Sequence, residues 1–194
     1  MISIILSIIG GFLVGRYSGI DFIHCSDMIQ VGLYILFFFV GLDMGRNKDI
    51  LRIFRRMGSE AIFIPILIAL GSVLGGILSG IVFGYPWNQG AALGSGMGWY
   101  SLSGVIIEPY SKELAAIAFL SNIVREVIAI IFVPFIAANI GFFAAVSVPG
   151  AGAMDTVLPI ISRSTDQKTT IISFFTGSIL SFLIPILVQF FISL

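Results

Sequence analysis

Three stretches of this chain, residues 61–107, 127–154 and 169–194, contain no Asp, Glu, Lys or Arg. Each exceeds the ~20 apolar residues a helix needs to cross the hydrocarbon core of a bilayer. Soluble proteins carry roughly 25% charged residues; here the figure is 10%, with 58% hydrophobic and a mean hydropathy of +1.10. Such a chain cannot cover a water-facing surface. Within lipid every backbone N–H and C=O must be paired inside the protein, which leaves α-helices or a closed barrel. Barrel strands alternate polar and apolar residues, and these runs do not. The expectation is an all-α integral membrane protein, a single membrane domain over residues 1–194 with no soluble module.

The first span is expected at Ile2–Arg16. Met1–Gly15 lacks the basic start and polar cleavage site of a signal peptide, so this helix should stay in the membrane. A polar link with Asp21, His24, Cys25 and Asp27 leads to a second span, Met28–Met44, with Asp43 at its end. Residues 45–60 then hold Arg46, Lys48, Arg52, Arg55 and Arg56, half of the ten basic residues. Lys and Arg near span ends stay on the cytoplasmic side, so this loop is placed inside. The third span, Ala61–Phe83, carries a Leu-Gly-Gly-Ile-Leu-Ser-Gly stretch at 74–80 whose small residues admit close helix neighbours. Tyr85-Pro86-Trp87 marks the opposite interface.

The next segment, 91–107, is apolar yet punctuated by Gly94, Gly96, Gly98 and Gly104. Glycine inside a helix costs ~1 kcal/mol relative to alanine, so a broken or re-entrant helix is expected. A polar stop, Glu108–Glu113, precedes a long helix, Leu114–Ala138, with Arg125-Glu126 near its middle. The order then recurs. Residues 144–161 are broken by Pro149, Gly150, Gly152 and Pro159, a polar stop follows at 162–168, and a last helix runs from Thr169 to Leu194. Two re-entrant hairpins would leave five crossings, put Leu194 outside and bring the hairpin tips together near the midplane, the arrangement of inverted-repeat transporters. If both segments cross fully, there are seven spans. The sequence leaves both readings open.

An ionisable side chain inside a membrane is costly and must be paired, hydrated or functional. Glu126 lies mid-helix and Asp155 just past the Pro-Gly-Ala-Gly break, so both are candidates for a transport path in which carboxylates take up protons and cations in turn. Arg125 and Glu126 are sequence neighbours and do not face each other on a helix; Arg125 is expected to pair with Asp155 or a distant group. A purely structural ion pair is the alternative. The turn Gly94, Ser95, Gly96, Gly98, with the hydroxyls of Tyr100, Ser101 and Ser103, suits an anionic group at a half-helix N-terminus, unless its glycines serve only close packing. Asn122, Gly150 and Gly152 complete the candidate set. Asp43 reads as an interfacial charge and His24 as a solvated link residue. One cysteine and one histidine make no metal constellation, Cys25 has no internal disulfide partner, and a net charge of zero offers nucleic acid no surface.

Three motifs in this order and spacing, GSGMGWYSLSG at 94–104, NIVRE at 122–126 and PGAGAMDTVLP at 149–159, resemble the lysine-exporter (LysO) family over essentially the whole chain. The resemblance implies export of L-lysine, and of analogues such as thialysine, from a bacterial or archaeal cytoplasm across the inner membrane. It also implies two essential intramembrane acids, matched here by Glu126 and Asp155. Single-chain members of the family carry further hydrophobic helices ahead of the region that matches Met1 onward. Completion by a separately encoded small N-terminal membrane subunit, or by a homodimer through the glycine-rich third span, is therefore expected.

The combined expectation is antiport with no cofactor. Glu126 and Asp155 take the two ammonium groups of lysine, the turn at 94–98 helped by Arg125 takes its carboxylate, and inward protons displace it, Na⁺ being the alternative coupling ion. Two other classes compete. An aspartyl intramembrane protease resembles Gly-x-Gly-Asp, but Gly150-Ala-Gly-Ala-Met-Asp155 is two residues too long. A membrane subunit or anchor of another assembly would need no buried acids.

Overall fold

The computed structural model describes residues 60–194, together with Gly10, Leu13, Val31, Ile35 and Phe38, which are helical and exposed. The spans expected at Ile2–Arg16 and Met28–Met44, the basic loop up to Ser59, and His24, Cys25 and Asp43 lie outside the described residues. The chain divides into two compact units, Met1–Phe37 and Phe38–Leu194. In the second, residues 60–194 form seven α-helices and one 3-10 turn.

Three helices are long. These are α1 (Glu60–Val82, 23 residues), α4 (Lys112–Asn139, 28 residues) and α7 (Gln167–Ile192, 26 residues). All three are long and apolar enough to cross a membrane. Their boundaries match the expected spans to within a turn. The expected breaks also appear. Between α1 and α4 lie α2 (Trp87–Gly94) and α3 (Tyr100–Ile107), eight residues each. Between α4 and α7 lie α5 (Phe142–Ser147), the 3-10 turn Gly150–Met154 and α6 (Leu158–Ser164). An eight-residue helix rises only ~12 Å, far short of a hydrocarbon core.

Two details differ from the sequence reading. Gly104 does not interrupt a helix; it lies inside α3, where it lets the backbone approach Phe119 of α4. Pro159 does not break one either. It sits in the first turn of α6, where a missing N–H costs nothing because that donor has no intrahelical partner.

Each broken segment returns to the end of the bundle it left. Tyr85, just beyond α1, donates its hydroxyl to Glu113 at the start of α4, 3.0 Å away. Gln189, near the end of α7, donates to the Tyr110 hydroxyl at 2.6 Å. At the other end Ile64 of α1 packs against a buried cluster that holds Val133 and Ala137 of α4 with Ala145 and Ile161 of the second broken segment. Thus α1 and α7 run one way and α4 the other.

Close packing explains two of the glycines of α1. Gly76 and Gly80 face Gly90 and Gly94 of α2, and a Cβ on Gly80 would stand 2.8 Å from the Gly90 Cα. The small-residue face expected to hold a second copy is, at Gly76 and Gly80, filled by α2 of the same chain. More than half of α7's apolar stretch is buried, against less than a quarter for α1 and α4, so α7 is the most buried of the three described long helices. Gly177 lets it touch the 3-10 turn, where a Cβ would come within 2.6 Å of the Met154 N, and Ser173 donates to the Ala153 carbonyl at 2.7 Å. The N-terminus of α7 is capped by Asp166, which accepts the Thr169 N–H at 2.7 Å. The Thr169 side chain and backbone N–H together hold the Asp166 carboxyl below the usual range. The cap therefore stabilises above the unfolded carboxylate pKa and is lost as pH falls through the lowered folded value.

Candidate functional site

The sequence Ser95-Gly96-Met97-Gly98-Trp99 cannot continue a helix, because Met97 and Gly98 take φ of 42° and 96°. The second break does the same at Gly150, φ 65°. There the two broken segments cross: the Ala151 N–H donates to the Met97 carbonyl at 2.8 Å. Gly98 and Gly150 lie against each other's segment, at Pro149 O and Met97 O respectively. No side chain fits at either position, so the glycines are required by the crossing.

Beside the crossing is a cavity of about 170 Å³. Its walls come from four elements. Gly98, Trp99, Tyr100 and Ser101 line it from the first broken segment, and Glu126 from the middle of α4. Ala151, Gly152, Met154, Asp155 and Thr156 line it from the second broken segment, and Ser181 from α7. Asp155 ends the 3-10 turn with φ −135° and ψ −83°, and its Oδ1 accepts the Thr156 N–H at 2.6 Å. Its carboxylate is exposed and Glu126 is half-buried. Trp99, the residue ahead of α3, provides no side-chain cap for that helix, so the first turn of α3 meets the cavity with Tyr100 and Ser101. Two carboxylates, three aliphatic hydroxyls, a phenol and a helix N-terminus thus surround one small space. It can hold cationic groups at one part and an anionic group at another.

Of the residues singled out by sequence, the structure brings Gly98, Tyr100, Ser101, Glu126, Gly152 and Asp155 to this cavity. It does not bring Gly94, Ser95, Gly96, Ser103, Asn122, Arg125 or Gly150 to its wall. Gly94 packs on α1. Ser95 donates to the Ala91 carbonyl at 2.7 Å and Ser103 to the Trp99 carbonyl at 2.9 Å, as buried helical serines commonly do. The Asn122 amide accepts the Gly98 N–H at 2.6 Å and donates to Ala118 O at 2.8 Å and Ser103 Oγ at 3.3 Å.

Two expectations are corrected. Of the partners expected for Arg125, the structure gives distant groups and not Asp155. Its guanidinium donates from Nε to Val148 O at 2.8 Å, from one terminal nitrogen to Ser72 Oγ at 2.6 Å and from the other to Ser147 O at 3.3 Å, and no described carboxylate bonds to it. With Asn122 it lines a different cleft of about 710 Å³ along the small-residue face of α1. Nor are most N–H groups of the turn at 94–98 open to an anion, since those of Ser95, Gly96 and Gly98 already donate to Ala91 O, Leu93 O and Asn122 Oδ1. Sequence reasoning missed Ser181, Thr156 and Met154. The row of small polar residues on α7, Ser173, Thr176, Ser178 and Ser181, was the available signal, because an apolar helix needs no such stripe towards lipid.

The family model described as lysine exporter LysO matches residues 5–192. A lysine exporter LysO of Escherichia coli (strain K12) is 31% identical over 185 residues, 93% of this chain and 60% of that protein. A Haemophilus influenzae protein provisionally named a lysine exporter is 29% identical over 197 residues, 98% of this chain and 95% of that protein. The chain thus spans about 60% of the length of its Escherichia coli relative. No solved structure matches it.

Proposed function

Because this chain belongs to the lysine exporter LysO family, we propose that it is a multi-pass inner-membrane transporter that carries L-lysine, and analogues such as thialysine, out of the cytoplasm. The observation that carries this reading is the cavity in which Glu126 and Asp155, from different elements, meet between two broken segments. Lysine at neutral pH has two ammonium groups and one carboxylate. The two acids take the ammonium groups through charge-assisted hydrogen bonds, which are stronger than neutral ones. The uncapped start of α3, with the Tyr100 and Ser101 hydroxyls, takes the carboxylate, because an exposed helix N-terminus favours negative charge. Protons entering from outside then neutralise the carboxylates and release lysine, giving antiport.

Labelled lysine should accumulate in inverted vesicles containing the protein when the lumen is acidified. Accumulation driven by a luminal Na⁺ gradient instead would change the coupling ion, and none under either gradient would end the export reading. Liposomes holding the purified chain alone test whether a second copy or a small partner subunit completes it.

The paired ends of the broken segments support re-entrant hairpins entering from opposite faces, hence five crossings in an inverted arrangement. With the basic loop inside, Tyr110, Lys112 and Leu194 lie outside. Single cysteines in a Cys25→Ser background distinguish the readings. Lys112→Cys and Ser193→Cys should react with an impermeant thiol reagent in intact spheroplasts, and Asn47→Cys only after lysis. A Lys112→Cys protein labelled only after lysis would mean that residues 87–107 cross fully.

A further inference from the structure

Asn122 and Arg125 lie three residues apart on α4, on the same side of the helix one turn along, and each is bonded to a different broken segment. The Asn122 amide is buried, and its oxygen holds the Gly98 N–H, next to the carbonyl of Met97 that receives Ala151. A Cβ on Gly96 would run into this amide. Arg125 holds the last carbonyls of α5, Ser147 and Val148, and ties them to Ser72 of α1. Those carbonyls lack intrahelical donors and form the negative end of their helix. A guanidinium, with several N–H groups in a rigid fork, reaches them and Ser72 together, which an ammonium cannot. Because Arg125 is satisfied by neutral oxygens, neither acid of the cavity is consumed in balancing it.

We propose that Asn122 and Arg125 are positioning residues that pin the two broken segments to α4 on either side of their crossing, and so set Ser101 and Asp155 at a fixed span from Glu126. The inference rests on the reading of the cavity as the substrate site. Lysine offers its charged groups at limited separations, so slack at either pin loosens binding even though neither residue touches the substrate. Displacements of ~1 Å can cost up to 10²-fold in such sites.

The test reads the pins without relying on transport. In a Cys25→Ser background, Ser101→Cys and Thr156→Cys place thiols on the two segments that line the cavity. A short bifunctional thiosulfonate should cross-link them efficiently in native membranes. Asn122→Ala and Arg125→Gln should each lower the cross-linked fraction of inserted protein and, without the added cysteines, raise the KM for lysine in inverted vesicles by ~10-fold or more. Arg125→Lys, which keeps the charge without the fork, should behave like Arg125→Gln and serves in its place if that variant fails to insert. Unchanged cross-linking per inserted molecule in both variants, or full restoration of cross-linking and KM by Arg125→Lys, overturns the proposal. If the Cys25→Ser protein without the added cysteines inserts but carries no lysine, the substrate reading is refuted instead, and the cross-link alone then decides on the pins.

Discussion

Glu126→Gln and Asp155→Asn should each abolish lysine efflux while leaving normal amounts of protein in the membrane. Either amide keeps the shape and hydrogen bonding of the acid but carries no charge and exchanges no proton. Losing one charge-assisted hydrogen bond, about 1.5–3 kcal/mol, weakens lysine binding by ~10- to 150-fold, and the lost proton site uncouples what binding remains. The fold should survive, because Arg125 is bonded to Val148, Ser147 and Ser72 and loses nothing when either acid is neutralised. Had Arg125 been the partner of Asp155, the same substitution would have left a buried cation unpaired, a change that destabilises strongly. Cells expressing either variant should stay sensitive to thialysine, and inverted vesicles should show no lysine uptake at any pH. Near-normal uptake in both variants at normal protein levels would end the two-carboxylate reading.

Gly98→Ala and Gly150→Ala should do what neither acid variant does and compromise the structure itself. Both glycines have positive φ, where an L side chain costs roughly 1–2 kcal/mol. The new methyl would also stand 2.5 Å from the Pro149 oxygen at position 98, and still closer to the Met97 oxygen at position 150. Backbone atoms cannot swing aside, so the crossing must open and the Ala151–Met97 hydrogen bond must break. The expected result is a sharp fall in the folded fraction in detergent, read by thermal melting, together with loss of transport. Gly71→Ala and Gly75→Ala on α1 are the controls, because an added Cβ meets nothing within 4 Å at either site. A Gly98→Ala protein that melts with the Gly75→Ala control would show that the segments need not cross.

Sequence alone determined the class of the protein, the three long helices of the described region and the positions of its two breaks. The reason is physical: a bilayer penalises every unpaired charge and every unsatisfied backbone group, so long uncharged runs and clustered glycines have few alternative meanings. The same penalty marked out Glu126 and Asp155, which do share a cavity. What tertiary structure decided was where polar groups are directed. Arg125 and Glu126 are adjacent in sequence, yet one turns to the carbonyls of α5 and the other to the cavity. Gly76 was expected to admit a close helix neighbour, and only the fold shows that the neighbour is α2 of the same chain, where Gly94 takes the packing role that was the alternative to a ligand turn. Asn122 was singled out for the substrate path and Ser181 carried no charge to betray it, and what each meets depends on which segment α4 and α7 touch. Burial cost is a property of each residue and can be read locally. Pairing is a property of two residues brought together from distant parts of the chain, and only the folded bundle selects the partner.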